Sequence, residues 1–165
     1  NMIPNGLFLT GAPANANLPD GYTAVNMTTG LVADGDVNGR WCELQSTNAS
    51  LATLTQDAIP TALWSAGDKY ILCFRFFHEP GSSAKTFGAQ INYIGGSPTS
   101  VRPLNGWDGA MSKGEGAAVF IESTIPPGTT SMNVVFLHNA GALGTGLKSG
   151  VGQVTFLNLT KLGVA

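Results

Sequence analysis

Polar and apolar residues alternate with a period of two along most of this chain. Successive side chains of a β-strand point to opposite faces, so this alternation predicts strands that bury one face. No window of about a dozen residues carries the apolar stripe of an amphipathic helix. The pattern predicts nine strands, at residues 2–9, 22–27, 39–46, 50–57, 69–78, 86–94, 117–123, 131–138 and 153–162.

The segments between the predicted strands contain the residues that turns favour. Residues 18–21 read LPDG and residues 125–128 read IPPG; in both, proline fixes one backbone angle and glycine supplies a positive one. Short strands at this spacing are typical of an antiparallel β-sandwich, and a length of 165 residues fits one domain over residues 1–165. Two longer glycine-rich stretches, 95–116 and 139–152, are predicted as loops and as places for function.

Two predicted strands indicate which faces are buried. In the strand at 39–46, Cys42 and Leu44 share one face. The opposite, polar face carries Trp41, Glu43 and Gln45. The strand at 69–78 is apolar almost throughout, apart from Arg75, which predicts a central strand covered on both sides. A buried arginine needs partners, so we expect Arg75 to be hydrogen-bonded or to lie at an interface.

Charge excludes several classes of partner. Charged residues make up only 11% of the chain, against a usual share of about 25%. The formal net charge is −2 and the eight basic residues are scattered singly, so we expect no surface for nucleic acid or for an anionic membrane. Proline, glycine and asparagine interrupt the longest uncharged stretches, and we therefore expect no membrane-spanning helix of about 20 residues.

The sequence predicts no cofactor and no metal. Cys42 and Cys73 lie in apolar, strand-like runs with no second ligand close in sequence, which is typical of buried free thiols and not of a zinc site. Asp34, Asp36 and Asn38 offer alternate oxygens within one loop. A calcium ion needs about six to eight oxygen ligands, so a plain solvated turn is the alternative for this loop.

One aromatic residue has the neighbours of a sugar-binding site. Such sites combine an apolar surface for the sugar ring with a few polar groups for its hydroxyls. Trp107 lies between two glycines, with Asn105 and Asp108 as hydrogen-bonding neighbours. These three residues are the first candidate site. The alternative is a tryptophan that folds back and fills its own loop.

The polar face of the strand at 39–46 is the second candidate site. Trp41 stands there beside Glu43 and Gln45. An outward tryptophan on a sheet is either a binding platform or part of an oligomer interface. Trp64, in contrast, is surrounded by apolar and small residues, and we expect it in the core or filling a loop.

The sequence does not predict catalysis. Glycoside hydrolysis requires two carboxyl groups held at a defined separation, and no motif fixes such a pair, although Glu79 follows His78 at a strand end. The Gly-x-Ser-x-Gly turn of serine hydrolases is missing as well. We therefore expect a chain that is not an enzyme.

Short motifs along the chain carry a family resemblance. Residues 3–8 (IPNGLF), 19–22 (PDGY), 67–70 (GDKY) and 125–128 (IPPG), with a last strand at 154–162, resemble the successive elements of the jelly-roll carbohydrate-binding modules of families 4 and 9. The low charge and the high content of Gly, Asn and Thr are similar to the C-terminal β-domains of bacteriophage tailspikes and tail fibres. Many relatives bind a structural calcium through acidic residues in the first and last strands, where this chain has Leu7 and Asn158.

The resemblance implies a fold, a place and a function. It implies an all-β, jelly-roll β-sandwich that forms a non-catalytic accessory domain of an extracellular virion tail. The implied partner is a bacterial surface polysaccharide, and the implied assembly is a homotrimer. The alternative is a structural domain that trimerises and caps the same tail protein without a glycan site. A third hypothesis is a free-standing depolymerase.

Overall fold

Twelve strands and one short 3-10 helix make up the described part of the chain. The computed structural model describes residues 1–3, 11–12, 15–33, 40–48, 50–78, 86–107, 117–139 and 148–164. The strands are β1 Gly11–Ala12, β2 Asn15–Pro19, β3 Tyr22–Val25, β4 Met27–Ala33, β5 Arg40–Ser46, β6 Ala52–Gln56, β7 Lys69–His78, β8 Thr86–Ile94, β9 Ser100–Trp107, β10 Ala117–Thr124, β11 Ser131–Asn139 and β12 Lys148–Asn158, and the 3-10 helix is Thr61–Leu63. Within these ranges no helix is long and apolar enough to cross a membrane.

The strands form two five-stranded sheets that face each other. Sheet I has the order β10-β7-β12-β5-β4, and sheet II has the order β3-β6-β11-β8-β9. Every pairing in them is antiparallel, and β1 and β2 form a separate small ribbon. This arrangement confirms the antiparallel β-sandwich predicted from the alternation.

Aromatic rings from both sheets meet in the core. Phe76 of sheet I stacks on Phe87 of sheet II with ring centroids 5.1 Å apart. Phe74 of sheet I meets Phe136 of sheet II edge to face at 5.3 Å. All four rings are at most 2% exposed. Burial of this kind contributes about 2 kcal/mol for each large side chain, so these contacts are a main source of cohesion between the sheets.

Predicted and observed strands agree best where the apolar pattern is strongest. The predicted bounds 69–78 and 86–94 are those of β7 and β8. The prediction of two long loops is partly wrong, because β9 lies within 95–116 and β12 begins at Lys148. The strand predicted at 2–9 falls mostly outside the described residues. The pattern also missed β4, whose Thr-Thr-Gly sequence is typical of a turn.

Two glycines in the middle of sheet I explain why the first five residues of β12 were predicted as a loop. Gly150 and Gly152 lie on the side of β12 that faces away from the core, opposite Phe77 and Arg75 of β7. A Cβ on Gly150 would overlap the ring of Phe77, and a Cβ on Gly152 would lie 3.0 Å from the indole of Trp41. The glycines are therefore packing positions in a strand, where large neighbouring rings occupy the space of a side chain.

We expect Gly150→Ala to destabilise the fold by about 1–3 kcal/mol, because the added methyl group forces the buried Phe77 ring out of its position. Gly30→Ala is the matched control. Gly30 lies on the same face of sheet I and pairs with Glu43 of β5, on the side of β5 away from Gly150. A Cβ at Gly30 meets nothing within 4 Å. Urea unfolding of both variants measures the difference. Equal stability of the two variants would contradict the packing role of Gly150.

All three tyrosines of the chain are buried. Tyr22, Tyr70 and Tyr93 are at most 4% exposed, and the hydroxyls of Tyr70 and Tyr93 bond to each other across the core. Burial disfavours the charged phenolate and raises the pKa of each tyrosine above its ordinary value of 10.0.

The tyrosines make the fold sensitive to alkali. In the unfolded chain the phenols ionise near pH 10, whereas in the folded protein they stay protonated. The free energy that the buried tyrosines add to folding is complete below pH 10. It is lost as the pH rises toward the folded pKa, by about 1.4 kcal/mol per pH unit for each tyrosine. We therefore expect the urea midpoint to fall steeply above pH 10. Phenols that titrate near pH 10 while the protein stays folded would contradict this.

Candidate functional site

The outer face of sheet I brings together the residues of the second candidate site. In β5, Cys42 and Leu44 are buried in the core. The alternate residues therefore point away from the core. These are Trp41, Glu43 and Gln45, on the face that the sequence indicated. Antiparallel register aligns Trp41 with Gly152 and Glu43 with Gly150.

Trp41 is on this face, but its ring is covered. The indole is 1% exposed, lies against the small surface of Gly152, and meets Phe77 edge to face with centroids 5.3 Å apart. The guanidinium carbon of Arg75 lies 5.0 Å from the ring centroid, a cation–π contact. This corrects the expectation of an open tryptophan platform, because the residue forms part of a packed floor. The same contact gives Arg75 the partner that its place in an apolar strand required.

Beside this floor, Glu43 and Gln45 line a small polar cavity. The cavity has a volume of about 120 Å³ and is lined by Thr28, Thr29, Gly30, Glu43, Gln45 and Lys148. Lys148 Nζ lies 3.0 Å from Glu43 Oε2, and the two side chains are 41% and 18% exposed. The opposite charges pair, so the cavity offers hydrogen-bonding groups without a net charge.

A strongly exposed aromatic side chain lies on the same face. Phe120 of β10 is 70% exposed and stands opposite Cys73 of β7. It lines a cavity of about 340 Å³ with Cys73, Phe74, Arg75, Ala118, Gln153 and Thr155. Phe120 is not among the site residues predicted from the sequence. The signal was present, because Phe120 alternates with Val119 and Ile121, which pack against the core.

The first candidate site falls on a different sheet. Asn105 and Trp107 are in β9, the edge strand of sheet II, and the structure gives their backbone positions but not their side chains. Asp108 lies outside the described residues. β9 contacts β10, the edge strand of sheet I that carries Phe120. The structure therefore separates Trp107 from Glu43 and Gln45 and places its backbone on the sandwich edge near β10.

No metal site is found among the described residues, and the histidine–serine pair that they contain is buried. They contain no group of three or more His, Cys, Asp and Glu side chains that could hold an ion, and Asp34, Asp36 and Asn38 lie outside them. His138 Nδ1 and Ser149 Oγ are 2.8 Å apart, but both side chains are fully buried. They connect β11 of sheet II with β12 of sheet I, so they stabilise the core.

Comparison with known proteins identifies the fold. No protein-family model and no curated protein sequence matches the chain. A family 16 carbohydrate-binding module superposes with a TM-score of 0.63 at 14% identity, over 96% of this chain and 100% of that one. The C-terminal family 22 carbohydrate-binding module of Clostridium thermocellum Xyn10B, which has a ligand-binding cleft, superposes with a TM-score of 0.61 at 14% identity. The match covers 84% of this chain and 87% of that one.

A viral protein contains the same fold. The enzymatically active domain of tailspike protein 4 from bacteriophage CBA120 superposes with a TM-score of 0.62 at 16% identity, over 96% of this chain. The chain spans only 21% of that protein's length. Identities this low establish the fold alone. The chain is thus a jelly-roll β-sandwich of the kind found in carbohydrate-binding modules and in a phage tailspike.

The two cysteines allow the exposure of the Phe120 cavity to be measured. Burial, followed by the nearby charge of Glu43, raises the pKa of Cys42 above its ordinary value of 9.0, while Cys73 lines the cavity and is only partly buried. The thiolate is the reactive form, so we expect iodoacetamide to label Cys73 and spare Cys42 in the folded protein. Peptide mass spectrometry, with labelling in urea as the control, checks this. Equal labelling of both thiols in the folded state would contradict the assignment.

Proposed function

We propose that this chain is a non-catalytic carbohydrate-binding domain whose glycan lies across the outer face of sheet I. One observation carries the proposal. An aromatic ring that is 70% exposed, Phe120, stands beside a cavity of about 340 Å³ that Arg75, Gln153 and Thr155 also line. Covering this ring with a ligand or a partner would remove apolar surface from water, which is favourable.

The chemistry of this face suits a sugar. The C–H face of a pyranose ring packs on an aromatic ring, and polar groups at the ring's edge bond the hydroxyls. Phe120 supplies the ring, while Gln153, Thr155 and Arg75 line the same cavity. Glu43 and Gln45 line the second cavity on this face, so a chain of several sugar units has polar contacts on both sides of the covered Trp41 floor.

The structural neighbours support the class of function and suggest its setting. Two of them are carbohydrate-binding modules and one is a tailspike domain. We propose on this basis an accessory, C-terminal domain of a phage tailspike or tail fibre, related to the modules of families 4 and 9, that recognises a host surface polysaccharide outside the cell as part of a homotrimer. The proposed site adds Phe120 to Glu43 and Gln45. Trp107, with Asn105 and Asp108, stays a separate candidate site that begins on β9, the edge strand of sheet II.

A structural role is the second candidate, and the same ring favours it. Phe120 would equally be covered by another copy of the chain in a trimer that caps a tail protein without a glycan site. Analytical ultracentrifugation separates the two functions. A trimer that Phe120→Ala dissociates supports the structural role, while an unchanged oligomeric state leaves the ring available to a ligand.

We expect Phe120→Ala to weaken glycan binding about ten-fold, the effect of losing one stacking contact. An array of bacterial surface polysaccharides identifies the ligand, and calorimetry with that polysaccharide measures the affinity. Ile94→Ala is the matched control, since Ile94 is 54% exposed and belongs to the other sheet. Bound glycan should also protect Cys73 from iodoacetamide. Full affinity in Phe120→Ala, with Cys73 still open to labelling, would refute the site.

A further inference from the structure

The strand β12 contains one more residue than its neighbour β7 over the same length. Gly152 of β12 is opposite Arg75 of β7, and Thr155 is opposite Cys73. Three steps along β12 therefore match two steps along β7, which defines a β-bulge. A bulge bends its strand and changes the direction of the side chains that follow. This bulge lies beside the Phe120 cavity, because that cavity is lined by residues of both strands.

Gln153 is the residue that the bulge adds to the outer face of sheet I. Val151 before it and Val154 after it both pack in the core, whereas Gln153 is half-buried and lines the cavity beside Phe120. The φ of Gln153 is 51°, in the left-handed region that glycine and asparagine usually occupy. A residue held in such a conformation points to a role for its side chain.

The first residues of the chain hold the bulge from its other side. β5 pairs with β12 only as far as Gly152, and beyond that point residues 1 and 2 lie beside β12. Asn1 Nδ2 donates to Val154 O at 3.0 Å, and Asn1 Oδ1 accepts from Phe156 N at 2.9 Å. Met2 N donates to Phe156 O at 2.6 Å. The backbone directly after the bulge is therefore fixed by hydrogen bonds.

The cavity that Gln153 lines also carries a positive charge. Arg75 lines it, and its guanidinium is held over the indole of Trp41. The described residues that line this cavity include no Asp or Glu. Glu43, on the same face, is paired with Lys148 at 3.0 Å and lines the other cavity. An anionic group in the Phe120 cavity would therefore meet a cation without an opposing carboxylate in the lining.

Glu122 is the other carboxylate on the described part of this face, and it lies away from the cation. It is opposite Ile71, on one side of Phe120 along β10. Arg75 is opposite Ala118, on the other side of Phe120. The exposed ring thus stands between the two charges, and a ligand that packs on the ring can reach Arg75 without meeting Glu122.

We infer that Gln153 and Arg75 select an acidic glycan, by binding the carboxylate of a uronic acid unit that packs on Phe120. This inference rests on the proposed carbohydrate-binding function and adds the class of glycan. A carboxylate has two acceptor oxygens, so it accepts from a guanidinium and from the amide nitrogen of Gln153 at the same time. Such charge-assisted hydrogen bonds are stronger than those of a neutral hydroxyl.

The test compares acidic oligosaccharides with the same oligosaccharides after each carboxyl group has been reduced to a primary alcohol. Hexamers of galacturonate, of mannuronate and of hyaluronan are the acidic probes, and xylohexaose is a neutral one. Calorimetry measures affinity, and protection of Cys73 from iodoacetamide reports that a probe occupies the cavity. We expect at least one acidic probe to bind and protect Cys73, and its reduced form to bind at least about ten-fold more weakly. Added NaCl should lower the affinity of the acidic form only.

Gln153→Gly separates binding from stability. Glycine adopts a φ of 51° without strain, so the urea midpoint should stay the same or rise. The affinity for the acidic probe should fall about five-fold, the effect of one lost hydrogen bond. Arg75→Met should lower it about thirty-fold, because a charged partner is lost. Asn26→Gly is the matched control, since Asn26 has a φ of 57° and adjoins β4, at the opposite edge of sheet I from β10; it should leave the affinity unchanged.

The outcomes distinguish this inference from the proposed function. If a reduced or neutral probe protects Cys73 and binds as tightly as the acidic ones, the proposed function stands and the inference is overturned. It is also overturned if Gln153→Gly keeps full affinity, or loses affinity together with stability, since Gln153 would then act only in the fold. If no acidic probe protects Cys73, the inference is overturned as well, while the polysaccharide array and Phe120→Ala decide the proposed function separately.

Discussion

The absence of side chains at Gly150 and Gly152 is the constraint on which the outer face of sheet I depends. β12 is the middle strand of this sheet, so any side chain there would stand between β7 and β5. Without them, the rings of Phe77 and Trp41 lie over the strand and meet each other. Arg75 then lies over the indole. The two glycines thus allow Trp41, Phe77 and Arg75 to pack together as a floor. Phe120 and Gln45 lie on the same face as this floor.

The two sheets have different electrostatic characters because their strands differ in composition. The strands of sheet I contain Arg40, Glu43, Lys69, Arg75, Glu122 and Lys148, whereas among the Lys, Arg, Asp and Glu residues only Arg102 occurs in the described strands of sheet II. Uncharged amides and hydroxyls therefore form the polar outer face of sheet II. The outer face of sheet I carries the ion pair of Lys148 with Glu43 and the cation–π contact of Arg75 with Trp41.

The sequence predicted the layers of the fold better than the site. The apolar patterns of β7, β8 and β11 depend on burial in the core, which is a local property of the residues, and their bounds were found within a residue. Gly150 and Gly152 resemble a loop in the sequence, because the rings that leave no room for a side chain there, Phe77 and Trp41, are far away in the chain. Trp41 was placed on the correct face, but its exposure depends on Arg75 and Phe77 in a neighbouring strand. The alternation in β10 indicates that Phe120 faces outward, whereas the cavity beside it is seen only in the structure.

The jelly-roll fold by itself does not decide between binding and catalysis, since similar domains occur in binding modules and in an enzymatically active tailspike domain. The distinction must come from the side chains that reach solvent. On sheet I these are an exposed ring and hydrogen-bonding groups, while the one described histidine–serine pair is sealed between the sheets. A reacting group must reach its substrate, whereas a binding surface needs only complementary shape and polarity. The described outer face of sheet I meets the second requirement, and this supports the proposal that the chain binds a ligand.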